Sequence, residues 1–247
     1  MKGGVESAAD AAPPADATPL VPLRETCRLV SGRVPLWPYH RRRLASGGCG
    51  EAMLAAADEA VEREAAGWSG PRSSRLRLTL VATPDGRLDA RVQRRLSSLD
   101  VPGGPVTVQV EVDAPPELPQ HAAKPADRSW WDAAQRRARA SGGDQAIVVC
   151  DGAVLDGGTS SVWAVLDGVL VTPTAPSAVA GVARAFVLDE CTAAGVPVRV
   201  GDLRAADLDT AAELFLTNAF AGAVAVRGRG GVVFAEVAAA FARLWSA

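Results

Sequence analysis

The sequence predicts a mixed α/β protein with a small N-terminal α/β domain and a larger C-terminal α/β domain of short, mostly antiparallel strands. Three observations support this fold class. Apolar residues recur at helical spacing in several segments, and other short segments are rich in Val, Ile and Thr. Tight turns containing glycine separate the strands of the second half, and a proline-rich stretch divides the two halves.

The first half begins with residues 1–20, which are rich in Ala, Pro and Asp, lack periodicity and predict a flexible tail. The N-terminal domain is expected over residues 21–114. Its predicted elements are two strands, Glu25–Val30 and Val34–Trp37, around the turn Ser31-Gly32, a helical stretch from His40, a helix over Glu51–Ala66, and strands at Arg75–Ala82 and Pro105–Val112.

The segment Asp113–Pro119 predicts a domain boundary, with a linker over 115–123 and the C-terminal domain over 124–247. The apolar patterns of this domain alternate between helices and short strands around Asp-Gly turns. We expect helices at Ser129–Ala140, Gly181–Gly195 and Phe234–Leu244, and strands at Gln145–Cys150, Ala153–Leu155, Ser161–Leu166, Val169–Thr172, Val196–Val200, Glu213–Thr217 and Val224–Arg227.

Composition excludes several classes of function. A formal net charge of −2 gives no global attraction to nucleic acid, and no apolar run approaches the roughly 20 residues that span a bilayer. The N-terminus lacks the pattern of a signal peptide, so we expect a cytoplasmic protein. The four cysteines are scattered without metal-ligand spacing, which predicts reduced thiols and no metal site.

Lysine is almost absent from this chain. Lys and Arg together number 26, and only Lys2 and Lys124 are lysines, which leaves 26 − 2 = 24 arginines. Arginine serves wherever charge alone is needed, but a guanidinium stays protonated and cannot supply a nucleophilic amine. Because Lys2 lies in the tail, Lys124 is a candidate for chemistry, the alternative being a surface lysine left by chance.

Five motifs in one order resemble the aminotransferase class IV family, the fold-type IV enzymes that use pyridoxal phosphate (PLP). The resemblance covers roughly residues 23 to 230, and its aminodeoxychorismate lyase branch is the most similar. The motifs are HRRRL at 40–44, the stretch from KPADR at 124, VLDGGTSSVWAVLDGVLVTP at 154–173, VAGVARAFVLDECTAAGVPV at 179–198, and AAELFLTNAFAGAVAV at 211–226.

The resemblance implies a set of cofactor-binding residues. Lys124 is implied to carry PLP as a Schiff base and, once released, to act as the general base. Asp156 stands where the family has a Glu beside the pyridine nitrogen; read alone, Asp156-Gly157 is only a hairpin turn. Arg43 is implied to bind the phosphate, unless it is a surface charge of the RRR run.

Further phosphate donors are implied at two backbone segments. The N–H groups of Val182 and Ala183 begin a helix, whose N-terminus favours anions. Asn218 and Ala219, after Thr217, are implied to give a second cluster of donors.

Other polar and aromatic residues leave their roles open. His40 fits the HRRRL motif in a structural role, and His121 is expected to be exposed. Trp130 and Trp131 are expected to pack in the core or line the pocket, and Arg184 to pair internally or with substrate.

Several residues depart from the family pattern near the expected cofactor site. Only ETCRL at 25–29 matches the end of the family's N-terminal G-D-G-x-F-E-T element. Asp156 replaces Glu, Ser161 replaces Asn, and Ala183 stands where the family often has Thr.

Three functions are compatible with this pattern. The first is 4-amino-4-deoxychorismate lyase, which eliminates pyruvate to give 4-aminobenzoate; the KPADR start and the T-N-A-F segment favour it. The second is an amino-acid aminotransferase of the branched-chain or D-amino-acid type. The third is a non-catalytic or PLP-free paralogue, suggested by the departures. The resemblance also implies a homodimer and an amino-acid-like substrate.

Overall fold

A computed structural model describes residues 17–68, 76–93, 104–111, 123–174 and 178–246 of the chain. Within these residues, six helices and eleven strands form a mixed α/β fold, and six of the eight strand pairings are antiparallel. The predicted fold class is confirmed. The expected tail up to residue 16, the boundary at 113–119 and His121 lie outside the described residues.

The first half forms one antiparallel sheet covered by two helices. Its elements are β1 (Leu23–Leu29), α1 (Trp37–Ser46), α2 (Glu51–Ala66), β2 (Leu76–Ala82) and β3 (Leu88–Gln93), with strand order β1-β2-β3. Burial alternates along β1, because successive side chains of a strand point to opposite faces. Leu23, Glu25, Cys27 and Leu29 are buried on one face, and the apolar members pack with residues of both helices.

The second half is built on two further sheets. Its elements are β4 (Val108–Glu111), α3 (Ser129–Ala140), β5 (Gln145–Cys150), β6 (Ala153–Gly157), β7 (Ser161–Leu166), β8 (Val169–Pro173), α4 (Val182–Ala194), β9 (Val198–Gly201), α5 (Ala205–Thr210), β10 (Glu213–Asn218), β11 (Gly222–Ala225) and α6 (Val232–Ser246). The strand orders are β4-β5-β6 and β11-β10-β7-β8-β9. Helices α4 and α6 contribute to one apolar cluster with the five-stranded sheet, and α3 packs on β5.

Two predictions about the first half differ from the structure. The strand expected at Val34–Trp37 is wrong: Val30 and Arg33 form only an isolated bridge, and α1 begins at Trp37 with a proline in its first turn. A proline at this position is pre-organised for a helix start. Strand β4 precedes the predicted boundary yet pairs in parallel with β5 of the second half. The division into domains stays a prediction.

Two elements were absent from the sequence prediction. Strand β3 alternates apolar residues with Asp89 and Arg91, and α5 is a single short helix of six residues. By contrast, the Asp-Gly turns are as predicted. Asp151-Gly152 and Asp167-Gly168 both have positive φ at each residue, as a type I′ turn requires.

We predict that two glycines with the same φ differ in their tolerance of alanine. Gly168 and Gly222 both have φ of +77°, but an added Cβ meets nothing at Gly168 and would overlap the ring of Trp245 at Gly222. Gly168→Ala should therefore show only the backbone cost, about 1 kcal/mol, whereas Gly222→Ala should lose about 3 kcal/mol. Urea unfolding of the two variants measures both, and equal losses would contradict the steric explanation.

Candidate active site

One cavity of about 400 Å³ lies where the three sheets approach one another. It is bounded by β1, the segment around Lys124, helix α3, the β6–β7 turn, the N-terminus of α4 and the end of β10. All seven site residues predicted from the sequence line it: Arg43, Lys124, Asp156, Val182, Ala183, Asn218 and Ala219. Residues up to 219 − 43 = 176 positions apart in sequence are therefore brought to one place.

Lys124 is held beside the first strand by its own backbone. Its carbonyl accepts a hydrogen bond of 2.9 Å from the N–H of Arg24, and the next residue, Pro125, forms a β-bridge with Leu23. Burial, together with the positive charges of Arg128 and Arg43, lowers the pKa of the Lys124 amine from 10.5 to about 7. A substantial fraction of this amine is therefore unprotonated and nucleophilic at neutral pH.

Arg43 is part of a buried network that includes a residue outside the seven predicted. Its Nε donates to Glu25 Oε1 at 2.8 Å, and its Nη2 bonds Glu25 Oε2. His40 Nδ1 lies 2.5 Å from the same Glu25 oxygen. Burial opposes ionisation of Glu25, but Arg43 and His40 hold the pKa of the carboxyl at about 2. Arg43 is therefore no surface charge of the RRR run.

The same arginine is tied to the start of helix α4. Arg43 Nη1 donates to the carbonyl of Ala180 at 3.0 Å, just before the N-cap residue Gly181. No side chain caps this helix, so the first N–H groups, at Val182 and Ala183, are not occupied by a capping side chain, and both residues line the cavity. A guanidinium beside free helical N–H groups is a suitable site for a phosphate.

A serine hydroxyl lies close to this helix start. A Cβ built at Gly181 would be 2.5 Å from Ser161 Oγ, which places the hydroxyl against the N-cap. Ser161 also lines the cavity. The hydroxyl that Ala183 lacks is thus present nearby on a different residue.

Asn218 and Ala219 take their places at the end of β10. The Asn218 Oδ1 accepts hydrogen bonds from the N–H groups of Phe220 and Ala221, at 3.0 and 2.7 Å, so the side chain shapes the turn. Thr217 Oγ1 accepts a bond from Trp163 Nε1. The side-chain oxygens of both polar residues accept hydrogen bonds from the protein, and Ala219 lines the cavity beside them.

Asp156 places a carboxyl group in the cavity at the end of β6. Its Oδ1 accepts a hydrogen bond of 3.2 Å from the N–H of Val162. Burial raises the pKa of Asp156 to about 7, and the charge of Arg184 acts in the opposite direction. Arg184 itself donates to the carbonyl of Pro173 at 2.8 Å, so its pairing is internal.

The two tryptophans that follow Lys124 have separate surroundings. Trp131 is buried and lines the cavity, while Trp130 is partly buried and packs edge-on against it. The described residues contain no cluster of His, Cys, Asp or Glu suited to a metal ion. No helix among them is long and apolar enough to cross a membrane.

Sequence reasoning missed most of the positive charge in this cavity. Besides Arg43 and Lys124, the cavity is lined by five arginines, namely Arg24, Arg77, Arg128, Arg136 and Arg139. The alternation of β1 could have indicated the side of the strand on which Arg24 lies. The helical period of α3 could have indicated the same for Arg136 and Arg139, and Arg128 directly precedes this helix. The sequence contained these periodicities, but it did not show that the faces concerned meet around Lys124.

These residues fit the PLP that the resemblance implies. The cavity offers an amine with a lowered pKa, a buried carboxyl and, at the α4 N-terminus, N–H donors with an arginine. Hydrogen bonds to Glu25 and Ala180 use three of the five N–H groups of Arg43, which leaves two for a phosphate.

The comparison with known families matches residues 23–228 to the family described as Amino-transferase class IV. The chain belongs to this family. The match confirms the family predicted from the sequence, the enzymatic function and PLP as the cofactor. No match was found among curated protein sequences.

Solved structures of class IV proteins share the fold of this chain. A PLP-bound hypothetical aminotransferase from Mycobacterium tuberculosis is 22% identical, with a TM-score of 0.74 over 89% of this chain and 88% of that one. The fold IV-transaminase CpuTA1 from Curtobacterium pusillum is 25% identical, with a TM-score of 0.71 over 92% and 87%. A proposed 4-amino-4-deoxychorismate lyase from Legionella pneumophila is 18% identical, with a TM-score of 0.71 over 90% and 91%.

We predict that Glu25 stabilises this class IV chain in a pH-dependent way. Glu25→Gln should lose about 3 kcal/mol near neutral pH, because Arg43 is left buried without its counter-charge. The Glu25 pKa falls from 4.5 to about 2 on folding, so the contribution is complete above pH 4.5 and disappears as the pH falls towards 2.

Urea unfolding of both proteins between pH 2 and pH 8 measures this difference. Glu62→Gln, which makes the same change at an exposed position of α2, is the control and should change little at any pH. A difference between wild type and Glu25→Gln that stays constant down to pH 2 would contradict the assignment.

Proposed function

We propose that this class IV enzyme is a 4-amino-4-deoxychorismate lyase, which releases pyruvate and forms 4-aminobenzoate. The observation that carries the proposal is the charge of the cavity. Six arginines line it against two acidic residues, Asp132 and Asp156. One of the six, Arg43, is compensated by Glu25. The remaining positive charge favours a substrate with more than one carboxylate.

The chemistry of this substrate agrees with the positive charge of the cavity. 4-Amino-4-deoxychorismate carries one carboxylate on its ring and a second on its enolpyruvyl group, and its amine lies on a ring carbon. Guanidinium groups bind carboxylates through paired, charge-assisted hydrogen bonds. A branched-chain amino acid would instead place an aliphatic side chain among these arginines and leave them without an anion.

In the proposed reaction, Lys124 supplies the proton transfer. Its amine, with a pKa of about 7, accepts a proton from the carbon that bears the substrate amine. The bond from the neighbouring ring carbon to the enolpyruvyl oxygen breaks, and the ring becomes aromatic. The enolpyruvate anion released takes up a proton and becomes pyruvate. When bound, PLP supplies the electron sink for the charge that develops at the amine-bearing carbon.

The remaining site residues are proposed to hold and orient the cofactor. Arg43 and the N–H groups of Val182, Ala183 and Ala219 bind the phosphate, with Asn218 shaping the turn that carries Ala219. Asp156 would hold the pyridine nitrogen of the cofactor. A positive charge at that nitrogen would lower the pKa of Asp156, so the two groups would hold each other in their charged forms.

An amino-acid aminotransferase is the second candidate. The specific observation in its favour is the structural similarity to the fold IV-transaminase of Curtobacterium pusillum. An acidic amino acid also carries two carboxylates, so the cavity charge alone does not separate the two reactions. The third possibility, a non-catalytic paralogue, is disfavoured by the family match and by the lowered pKa of Lys124.

We also propose that the enzyme is a cytoplasmic homodimer. The resemblance to class IV enzymes supports the homodimer, because their sites lie at a domain interface and are touched by the neighbouring subunit.

We predict that the cofactor attaches to Lys124 with an unusual pH dependence. Borohydride reduction of the PLP-loaded protein should leave a reduced adduct on the peptide that contains Lys124, and Lys124→Ala should give none. The rate of attachment should rise with pH through a midpoint near 7, since only the unprotonated amine reacts.

Stopped-flow absorbance after mixing protein and PLP measures this midpoint. In Arg128→Gln the midpoint should move upwards, because Arg128 is the largest charge that lowers the pKa of Lys124. A midpoint above pH 9 in the wild type, or an adduct on another residue, would overturn the assignment of Lys124.

We predict that the loaded enzyme converts 4-amino-4-deoxychorismate to 4-aminobenzoate and pyruvate without any added keto acid. Chromatography of the products and the absorbance of the bound cofactor test this together. A lyase returns the cofactor to its starting spectrum after turnover, and Lys124→Ala is the inactive control. Conversion of the cofactor to its amine form by an amino acid, without 4-aminobenzoate, would instead identify an aminotransferase.

A further inference from the structure

Strand β1 presents two arginines on the face opposite its buried side chains. Arg24 and Arg28 alternate with the buried Glu25 and Cys27, as the period of a strand requires. Arg28 is occupied by the protein: its guanidinium stacks 3.5 Å from the ring centroid of Trp245, and its Nη1 donates to a backbone carbonyl. Arg24 lines the cavity instead.

The guanidinium of Arg24 carries a buried N–H without a partner. Among the described residues, its Nε is inaccessible to solvent and makes no hydrogen bond. A buried donor left unsatisfied is costly in a folded protein, and it indicates a missing acceptor. The backbone N–H of the same residue bonds the carbonyl of Lys124, so this donor is anchored beside the lysine.

Arg128, four residues after Lys124 in the sequence, has the same property. Its Nη2 donates to the carbonyl of Gly158 at 2.8 Å, in the turn that follows Asp156, and its Nε is buried without a partner. Burial lowers the pKa of Arg128, the carboxylates of Asp132 and Asp156 raise it, and the positive charges of Arg24 and Arg43 lower it. Arg24 and Arg128 therefore repel each other across a cavity that both of them line.

Two other arginines near this site differ from this pair: Arg43 is compensated by a carboxylate, and Arg184, whose Nε is also buried without a partner, is not among the residues that line the cavity. Arg43 is paired with Glu25, and Arg184 donates to the carbonyl of Pro173. An anion bound in the cavity by the guanidinium groups of Arg24 and Arg128 would offset the repulsion between them. No acidic side chain forms an ion pair with either of them among the residues described.

We propose that Arg24 and Arg128 together bind a carboxylate of the substrate, remote from the amine that reacts at Lys124, and so select dicarboxylate substrates. The inference rests on the proposed function in one respect, namely that the ligand is an amine with a second carboxylate. It assigns two specificity-determining residues, and it applies whether the enzyme proves to be a lyase or an aminotransferase of acidic substrates.

The test uses binding without reaction. Chorismate has the two carboxylates of the proposed substrate but a hydroxyl in place of the amine, so calorimetry with the PLP-loaded enzyme measures recognition alone. Arg24→Gln and Arg128→Gln should each raise the dissociation constant by about tenfold or more, because each removes a charge-assisted pair. The double variant should lose less than the product of the single losses, since both residues bind one carboxylate.

Two further variants control for charge and for folding. Arg137→Gln removes a positive charge from an exposed position on α3 that does not line the cavity, and it should change binding by less than about twofold. Arg24→Lys and Arg128→Lys keep the charge but lose the paired N–H donors of the guanidinium. These variants should bind chorismate with intermediate affinity. The bound-cofactor spectrum and the thermal midpoint show whether each variant is folded.

The outcomes separate this inference from the proposed function. A wild type that binds chorismate through both arginines but forms no 4-aminobenzoate would refute the lyase and support the pair. A wild type that forms 4-aminobenzoate while folded Arg24→Gln and Arg128→Gln bind chorismate like the wild type would refute the pair alone. Failure of the wild type to bind chorismate would overturn the inference.

Discussion

The buried contact between Glu25 and Arg43 is the interaction on which the site depends. It joins β1 to α1, and the same guanidinium bonds the carbonyl of Ala180 ahead of α4. One arginine thus fixes the first sheet, its covering helix and the start of a helix from the second half. Removing either charge would leave the other buried without compensation, which is far more costly than losing an exposed pair.

This pairing also decides which positive charges act in the cavity. Because Glu25 compensates its charge, Arg43 joins the surrounding elements while adding little net positive charge to the cavity. Arg24 and Arg128 form no ion pair with a carboxylate among the described residues, and both lower the pKa of Lys124. Arginine is suited to this effect because it stays protonated at every pH at which the lysine titrates. Charges that could bind a substrate also keep the amine reactive.

The sequence predicted local structure well where the apolar period of a segment agreed with the glycine or proline residues at its ends. Helix α2 has the predicted bounds Glu51–Ala66, because its apolar period ends at a glycine. The expected strand at Val34–Trp37 failed because Pro38 favours the first turn of a helix more strongly than its neighbours favour a strand. Lys124 could be identified because lysine is so rare. The pairing of Glu25 with Arg43 could not, since nothing local encodes which buried charges meet.

The departures from the family pattern also show that residue type at one position differs from the arrangement of groups in space. Ala183 lacks a hydroxyl, but the Ser161 hydroxyl lies against the N-cap of the same helix. Asp156 is shorter than Glu, yet β6 still directs it into the cavity, where burial raises its pKa. In a residue-by-residue reading each change counts as a loss of function. In three dimensions a site is defined by the groups that reach a point, and several residues can supply each group. Family membership and these altered residues are therefore compatible.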